Sequence, residues 1–381
     1  MSTNQFRLNP SQSVSNLKGR RELTRAWPST AVSTWHNGGL FAGGINWAYG
    51  SGGDTTASVT IDGQDWRYHI FNSSGTFNPD TSNTTYGGKY PAYIELFVVG
   101  GGGGGGAANT ASAPGAGGGG AGSAREFTVD EDAPENTGML LANDSDNVTV
   151  TIGAGGNGGA WGTVSVAGGD TSVTCSSATP TGRRGGGGGT AGQGVYDTMG
   201  GPGGSGNNSS PLVAGEQGSG GGGGGGTAAA YGSITIHNNG GVGGNRSSYG
   251  DSVGSPTGGH NGAHGAKNDP GGARSQGGAG GSSGGAPQTG GTGTYSSQGV
   301  TNTWTGSNVY YACGGAGLMG GDSWGTSDNI NGTYNGVTAN STAGSGAAGS
   351  ANTGSGGGGG NHTSTSAAKG GSGIVIIRYK V

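Results

Sequence analysis

Tyr93-Ile94-Glu95-Leu96-Phe97-Val98-Val99 followed by seven glycines, Gly100 to Gly106, decides how this chain is read. An apolar run of strand length leads straight into polyglycine. The glycine-rich body ends at Gly370-Gly371-Ser372-Gly373, where a second apolar run begins, Ile374-Val375-Ile376-Ile377-Arg378-Tyr379-Lys380. Ordering glycine costs more backbone entropy than ordering any other residue, so polyglycine is commonly a linker. A linker is not expected between two strands able to pair. The body is therefore expected to be ordered and built mainly from glycine backbone.

Composition supports a chain of two kinds. Of 381 residues 100 are glycine, 12 of them in residues 1–99 and the other 88 beyond. With 29% apolar and 9% charged residues, an aliphatic core of ordinary size is out of reach. Low hydrophobicity signals disorder when paired with high net charge, but here the net charge is only −4. Twelve prolines and no strict three-residue glycine repeat exclude collagen.

Buried N–H and C=O groups must be paired. A polyproline-II-type helix has three residues per turn and no internal hydrogen bonds, so its polar groups point outward on three sides. Where every residue is glycine, no Cβ blocks approach, and neighbouring helices can pair backbone to backbone. Glycine runs at 100–106, 115–122, 153–159, 185–189, 200–206, 218–226, 240–244, 277–285, 314–321 and 354–360 have no fixed period. The fold class expected is all-β, with short strands framing a body of packed polyglycine-II-type helices. Helix is disfavoured at this glycine density.

Three regions follow. Residues 1–56 are a basic arm with an irregular, aromatic-rich docking segment. Residues 57–99 form a strand and hairpin region. Residues 100–381 form the glycine-rich body, closed by the strand 374–380. Residues 1–30 carry Arg7, Lys18, Arg20, Arg21 and Arg25 against Glu22 alone. This segment is either a solvated tail or a docking arm for an acidic partner or neighbouring subunit. The cluster is short and the whole chain mildly acidic, so nucleic acid is not the expected partner.

In the second region Val59 and Ile61 alternate with polar residues, Asp62-Gly63 signals a tight turn, and Trp66, Tyr68 and Ile70 alternate again. Within the body, Phe127-Thr128-Val129, Val148/Val150/Ile152, Val164/Val166 and Ile234/Ile236 give short strand signals. Cys175 and Cys313 are too few for a disulfide framework; two free, buried thiols are expected, with a single bridge between them as the alternative. The first residues lack the apolar stretch of a signal peptide, and no run of about 18 apolar residues occurs. Synthesis in a cytosol without membrane insertion is expected, and any action outside a cell would need another exit route.

Motifs for chemistry are weak. Matches to G-x-G-x-x-G carry no information at this glycine content. Gly280-Gly281-Ser282-Ser283-Gly284 fits a nucleophile elbow but lacks the strand before it and the helix after it. His260 and His264 near Asp269 lie in a glycine loop, where a chance pair is favoured over a metal site. Asp144 with Asp146, and Asp130-Glu131-Asp132, lack the EF-hand and calcium-nonapeptide patterns and read as solvated carboxylates. No catalytic residue, metal site or cofactor is expected, and the chain is not read as an enzyme.

One pattern does point to recognition. Ser-, Thr- and Asn-rich segments between the glycine runs carry Tyr295, Trp304, Tyr310, Tyr311, Trp324 and Tyr334. Aromatics give contact area at low entropy cost, and small polar residues give adaptable hydrogen bonds, as in antibody paratopes. These six, in binding loops expected within residues 290–340, are the candidate receptor-binding residues. The alternative is that such aromatics pack over the edges of the glycine body and seal it.

Four stretches in order carry a resemblance. They are Trp66 to Phe77, Glu95 to Gly100 with its glycine run, Val148-Thr149-Val150-Thr151-Ile152-Gly153-Ala154-Gly155-Gly156, and Gly371-Ser372-Gly373-Ile374-Val375-Ile376-Ile377-Arg378-Tyr379. Over about residues 57–381 the chain resembles the glycine-rich domain of bacteriophage tail-fibre and virion proteins. A related arrangement is the tip adhesin of some contractile-tailed phages, where polyglycine-II helices pack in a sandwich and connecting loops meet the receptor.

The resemblance implies a virion protein at a tail-fibre or spike tip. Its expected partners are other virion proteins through the N-terminal arm and a host surface glycan or outer-membrane protein, with homo-oligomerisation open. The alternatives are a capsid decoration or fibre protein without a receptor, and a self-assembling extracellular filament subunit.

Overall fold

The computed structural model describes residues 45–80, 90–107, 116–129, 138–143, 145–160, 163, 165–179, 182–191, 299–317, 347–360 and 367–381, together with two-residue strands between 195 and 346. The chain divides into two units. One is Met1–Asn46 with Glu131–Ala133, nearly all outside the described residues. The other, Trp47–Asp130 with Pro134–Val381, is the β-body described below. Within this unit Trp47 bridges Tyr93, and Gly50–Ser51 pairs with Asn78 and Pro79. Among the described residues the fold is all-β, without helix.

In chain order the strands are β1 Gly50–Ser51, β2 Thr55–Ile61, β3 Gln64–Phe71, β4 Gly75–Pro79, β5 Ala92–Val99, β6 Ala124–Phe127, β7 Met139–Leu141, β8 Val148–Thr151, β9 Thr171–Thr174 and β10 Gly182–Gly185. A hairpin follows, Val300–Asn302 with Val309–Tyr311, and the C-terminal strand is Ile374–Lys380. The first sheet has the order β2-β3-C-terminal strand-β5-β6, with β7 also on β5; the second runs β1-β4-β8-β9-β10. Both are antiparallel throughout.

The expected hairpin is present as β2–β3. Asp62 (φ 52°) and Gly63 (φ 80°) make the left-handed pair of a type I′ turn. The two apolar runs that bracket the body pair directly, Ile374 opposite Val99 and Val375 opposite Val98. Ile374, Val375, Ile376 and Ile377 are all buried, so this strand is covered on both faces. On one side His69, Phe77 and Tyr379 join the two sheets, with the His69 and Phe77 rings 5.2 Å apart. On the other, Trp304 and Tyr311 of the hairpin cover Phe97.

Among the described residues eight extended segments run from or beside these strands: rod I (100–106), II (116–123), III (153–159), IV (165–170), V (186–191), VI (313–317), VII (355–360) and VIII (367–373), with Ala312 and Gly354 as left-handed turn residues ahead of VI and VII. β5 continues into rod I, rod II into β6, β8 into rod III, rod IV into β9, β10 into rod V, and rod VIII into the C-terminal strand. Strand and polyproline-II backbone rise similarly per residue, about 3.3 and 3.1 Å. The chain therefore changes only its period, from two to three, on passing from one to the other.

The hydrogen bonds show that period. Gly100, Gly103 and Gly106 donate to Ser123, Gly120 and Gly117 of rod II. Gly101 and Gly104 donate to Gly169 and Val166 of rod IV, and Gly102 and Gly105 to Gly371 and Ala368 of rod VIII. In return Gly156 and Gly159 of rod III, Gly188 of rod V, and Gly357 and Gly360 of rod VII donate to carbonyls of rod I. Rod I is thus ringed by six rods in the order II, V, IV, III, VIII and VII, alternately antiparallel and parallel to it. Each adjacent pair in the ring is also bonded. Rod VI lies outside, bonded to rods II and VII.

A Cβ on any of Gly100 to Gly105 would come closer than 3.0 Å to a backbone carbonyl oxygen of rod III, V or VII. Among the described residues the polyglycine-II packing expected from the sequence is present; the expected runs at 200–206, 218–226, 240–244 and 277–285 lie, but for Gly226, outside the described residues. The strand expected at Val164/Val166 is not: residues 165–170 are rod IV, and the Val166 carbonyl serves Gly104. The signal at Ile234/Ile236 lies outside the described residues.

Candidate recognition site

The chemistry-bearing side chains gather around the hairpin and the C-terminal strand. Arg378 is held from three directions. Its Nε donates to Glu95 Oε2 at 2.6 Å, and its guanidinium stacks 4.0 Å from the Trp66 ring and 3.8 Å from the Trp304 ring. Glu95, itself buried, accepts the Val129 amide on its other oxygen. Asn302 donates to Glu126 and accepts from the Trp304 amide. These contacts fix the base of the hairpin to the sheet, since neither charge is left without a partner.

Alternation along the hairpin then decides what faces out. Asn302 and Trp304 point inward, whereas Thr301 and Thr303 are exposed. A turn closed by Gly306 N–H donating to the Thr303 carbonyl (2.9 Å) leads to exposed Ser307 and Asn308. Gly306 has φ +85° and rests on Val59, where a side chain would collide. The tip is therefore a small, uncharged surface of hydroxyl and amide groups on a rigid base.

This arrangement corrects part of the aromatic expectation. Trp304 is 3% and Tyr311 5% exposed, packed on Phe97 in the apolar cluster with Val99, Ile374 and Ile376. Burial pushes the Tyr311 phenol up to about 12. Both residues anchor the hairpin from beneath, the sealing role that was the alternative reading, and offer no contact surface. Tyr310 is half-buried. Tyr295 and Trp324 lie outside the described residues, as do Arg7, Lys18, Arg20, Arg21 and Arg25. Tyr334 falls in a two-residue strand whose side chains are not described.

The other candidates sort quickly. Asp146 accepts the Ala142 and Asn143 amides, each at 3.0 Å, and so closes a turn. Asp144, the Asp130-Glu131-Asp132 run, His260, His264 and Asp269 lie outside the described residues. Cys175 and Cys313 are free and buried. Among the described residues no group of three or more His, Cys, Asp or Glu side chains is placed to hold a metal. The sequence reading missed Arg378 as the clamp, although its parity with Ile374 and Ile376 puts it on the hairpin side. Thr303, Ser307 and Asn308 fall within the expected binding loops of residues 290–340 but are not singled out there; their signal is the turn-forming Thr305-Gly306-Ser307-Asn308.

Strands that run on into a ring of polyglycine rods, with a polar hairpin clamped to one face, define a glycine-rod β-protein. Residues 73–293 and 227–380 match the glycine-rich domain family, and the chain belongs to that family. No curated protein matches the sequence.

Proposed function

We propose that this chain is a bacteriophage virion protein at the tail-fibre or spike tip that attaches to the host cell surface, through a glycan or an outer-membrane protein. The reading is supported by the hairpin tip. Exposed Thr303, Ser307 and Asn308 are presented on a base immobilised by Trp304, Tyr311 and Arg378. Small polar groups on a preorganised scaffold recognise ligands with little ordering cost. The basic N-terminal arm is the segment proposed to dock on other virion proteins.

The test is saturable binding of fluorescently labelled protein to a panel of bacterial cells, alongside S307K/N308K. Both substituted residues are exposed, so the fold is retained. Binding that is lost in the variant supports the tip as the contact. Binding unchanged in the variant moves the contact elsewhere. A second reading, a structural subunit without a receptor, is favoured by the rod lattice itself, which is architecture. It predicts no cell binding, with the protein instead coating capsids or forming polymers.

A further inference from the structure

Sheet edges expose a row of unpaired N–H and C=O groups, and proteins normally blunt them with short strands or charged residues. Three of the edges described here are blunted. β1 has two residues, β6 has four and carries Arg125 and Glu126, and β10 has four and carries Arg183 and Arg184.

β2 is different. Its seven residues, Thr55-Thr56-Ala57-Ser58-Val59-Thr60-Ile61, contain no charge and no proline. Among the described residues its one strand partner is β3, and Thr55, Thr56, Ser58 and Thr60 are exposed. Ala57, Val59 and Ile61 are half-buried and continue the row formed by Trp66, Tyr68 and Ile70 on β3.

We propose that β2 is an interface at which a second copy of this chain adds edge to edge, antiparallel, about a twofold axis through Val59. The sequence is complementary to itself in this register. Ala57 meets Ile61, Val59 meets Val59, and Ser58 meets Thr60, so apolar faces apolar and hydroxyl faces hydroxyl on each side of the joined sheet. Thr56 meets Asp62 at the turn. A twofold through Ser58 would instead set Asp54 opposite Asp62, two like charges, and would pair Ile61 with Thr55.

A foreign strand could also add to this edge, but self-pairing needs nothing beyond the seven residues present. Because Gly306 rests on Val59, the axis also brings two hairpin tips to the same face of the joined sheet. The dimer itself does not depend on the recognition reading.

The experiment is sedimentation of the full chain across a concentration series, with S58K/T60K, S58E/T60E and an equimolar mixture of the two. Circular dichroism checks that each variant is folded. All four substitutions lie at exposed positions. The expected result is a dimer for the unsubstituted protein and a dissociation constant raised roughly tenfold or more in each variant, where like charges face each other twice. The mixture, with opposite charges facing, returns to dimer. A protein monomeric throughout the series, a dimer that survives in both variants, or a mixture that stays monomeric would each overturn the proposal.

Discussion

Replacing Gly104 by alanine tests whether the body is held by close backbone contact. In an ordinary loop such a change stabilises by about 0.4–1 kcal/mol, because alanine restricts the unfolded chain. In rod I the new Cβ would overlap the Asn157 carbonyl oxygen and crowd Gly158 N of rod III. Backbone atoms cannot rotate away, so rod III must move, by about 1.4 Å (from 2.0 to 3.4 Å) to reach ordinary contact. Such a shift carries its neighbouring hydrogen bonds out of range. The bonds at stake are Gly156 to Gly102 (2.8 Å), Gly159 to Gly105 (2.9 Å) and Val166 to Asn157 (2.9 Å). At about 1 kcal/mol net each, and more where a buried group is stranded, the loss is about 3 kcal/mol or more. Urea denaturation of G104A against the unsubstituted protein reads this directly. Asn157→Ala is the control, since Asn157 is exposed on the same rod and its change should stay within about 0.5 kcal/mol. If G104A proves as stable as the control, the rods are not in contact as described and the argument fails.

The remaining expectations concern the two faces of the C-terminal strand. His69 is buried, with Nδ1 2.7 Å from the Gly52 carbonyl and Nε2 3.2 Å from the Tyr379 hydroxyl, and burial holds its pKa below the ordinary value. The unfolded chain takes up the proton first, so stability present above about pH 6.5 falls as the pH drops through that value towards the lower folded pKa. Urea midpoints at pH 8 and pH 5 should differ, and His69→Gln should flatten the difference. Arg378→Met leaves the buried Glu95 carboxylate without its cation and should cost about 3 kcal/mol, with changed fluorescence from Trp66 and Trp304; an unshifted denaturation curve would remove the clamp from the account. Burial pushes the Cys313 thiol up to about 11, so a thiol reagent at pH 8 should label it only on unfolding.

The strands were legible because their signals are local. Apolar runs marked β5 and the C-terminal strand, and Asp62-Gly63 marked the β2–β3 turn. The inward side of the hairpin was less so. Val300, Asn302 and Trp304 share parity, but nothing local says which parity meets Phe97. That depends on a sheet assembled from residues 55–99 and 374–380.

The rods show most clearly what a glycine count misses. Rod IV, Ser165-Val166-Ala167-Gly168-Gly169-Asp170, has two glycines, and rod VIII opens with Ala367-Ala368-Lys369; neither stands out by composition. A three-faced rod needs glycine only on the faces that other rods touch. Rod I, ringed on every side, is glycine throughout and wholly buried. In rod III, Gly153, Gly156 and Gly159 are buried, while Ala154 and Asn157, three apart, are exposed. In rod VIII the outward positions are Lys369 and Ser372, again three apart and the more exposed residues of their rod. In rods III and VIII the three-residue spacing of the exposed side chains, and not the number of glycines, therefore marks where the lattice meets solvent, while small residues such as Ala121 and Ala368 are buried within it. A Cβ at those outer positions also keeps a further rod from approaching as closely as the six around rod I. The same atom that would break the centre of the body, added at Gly104, ends the body at Asn157.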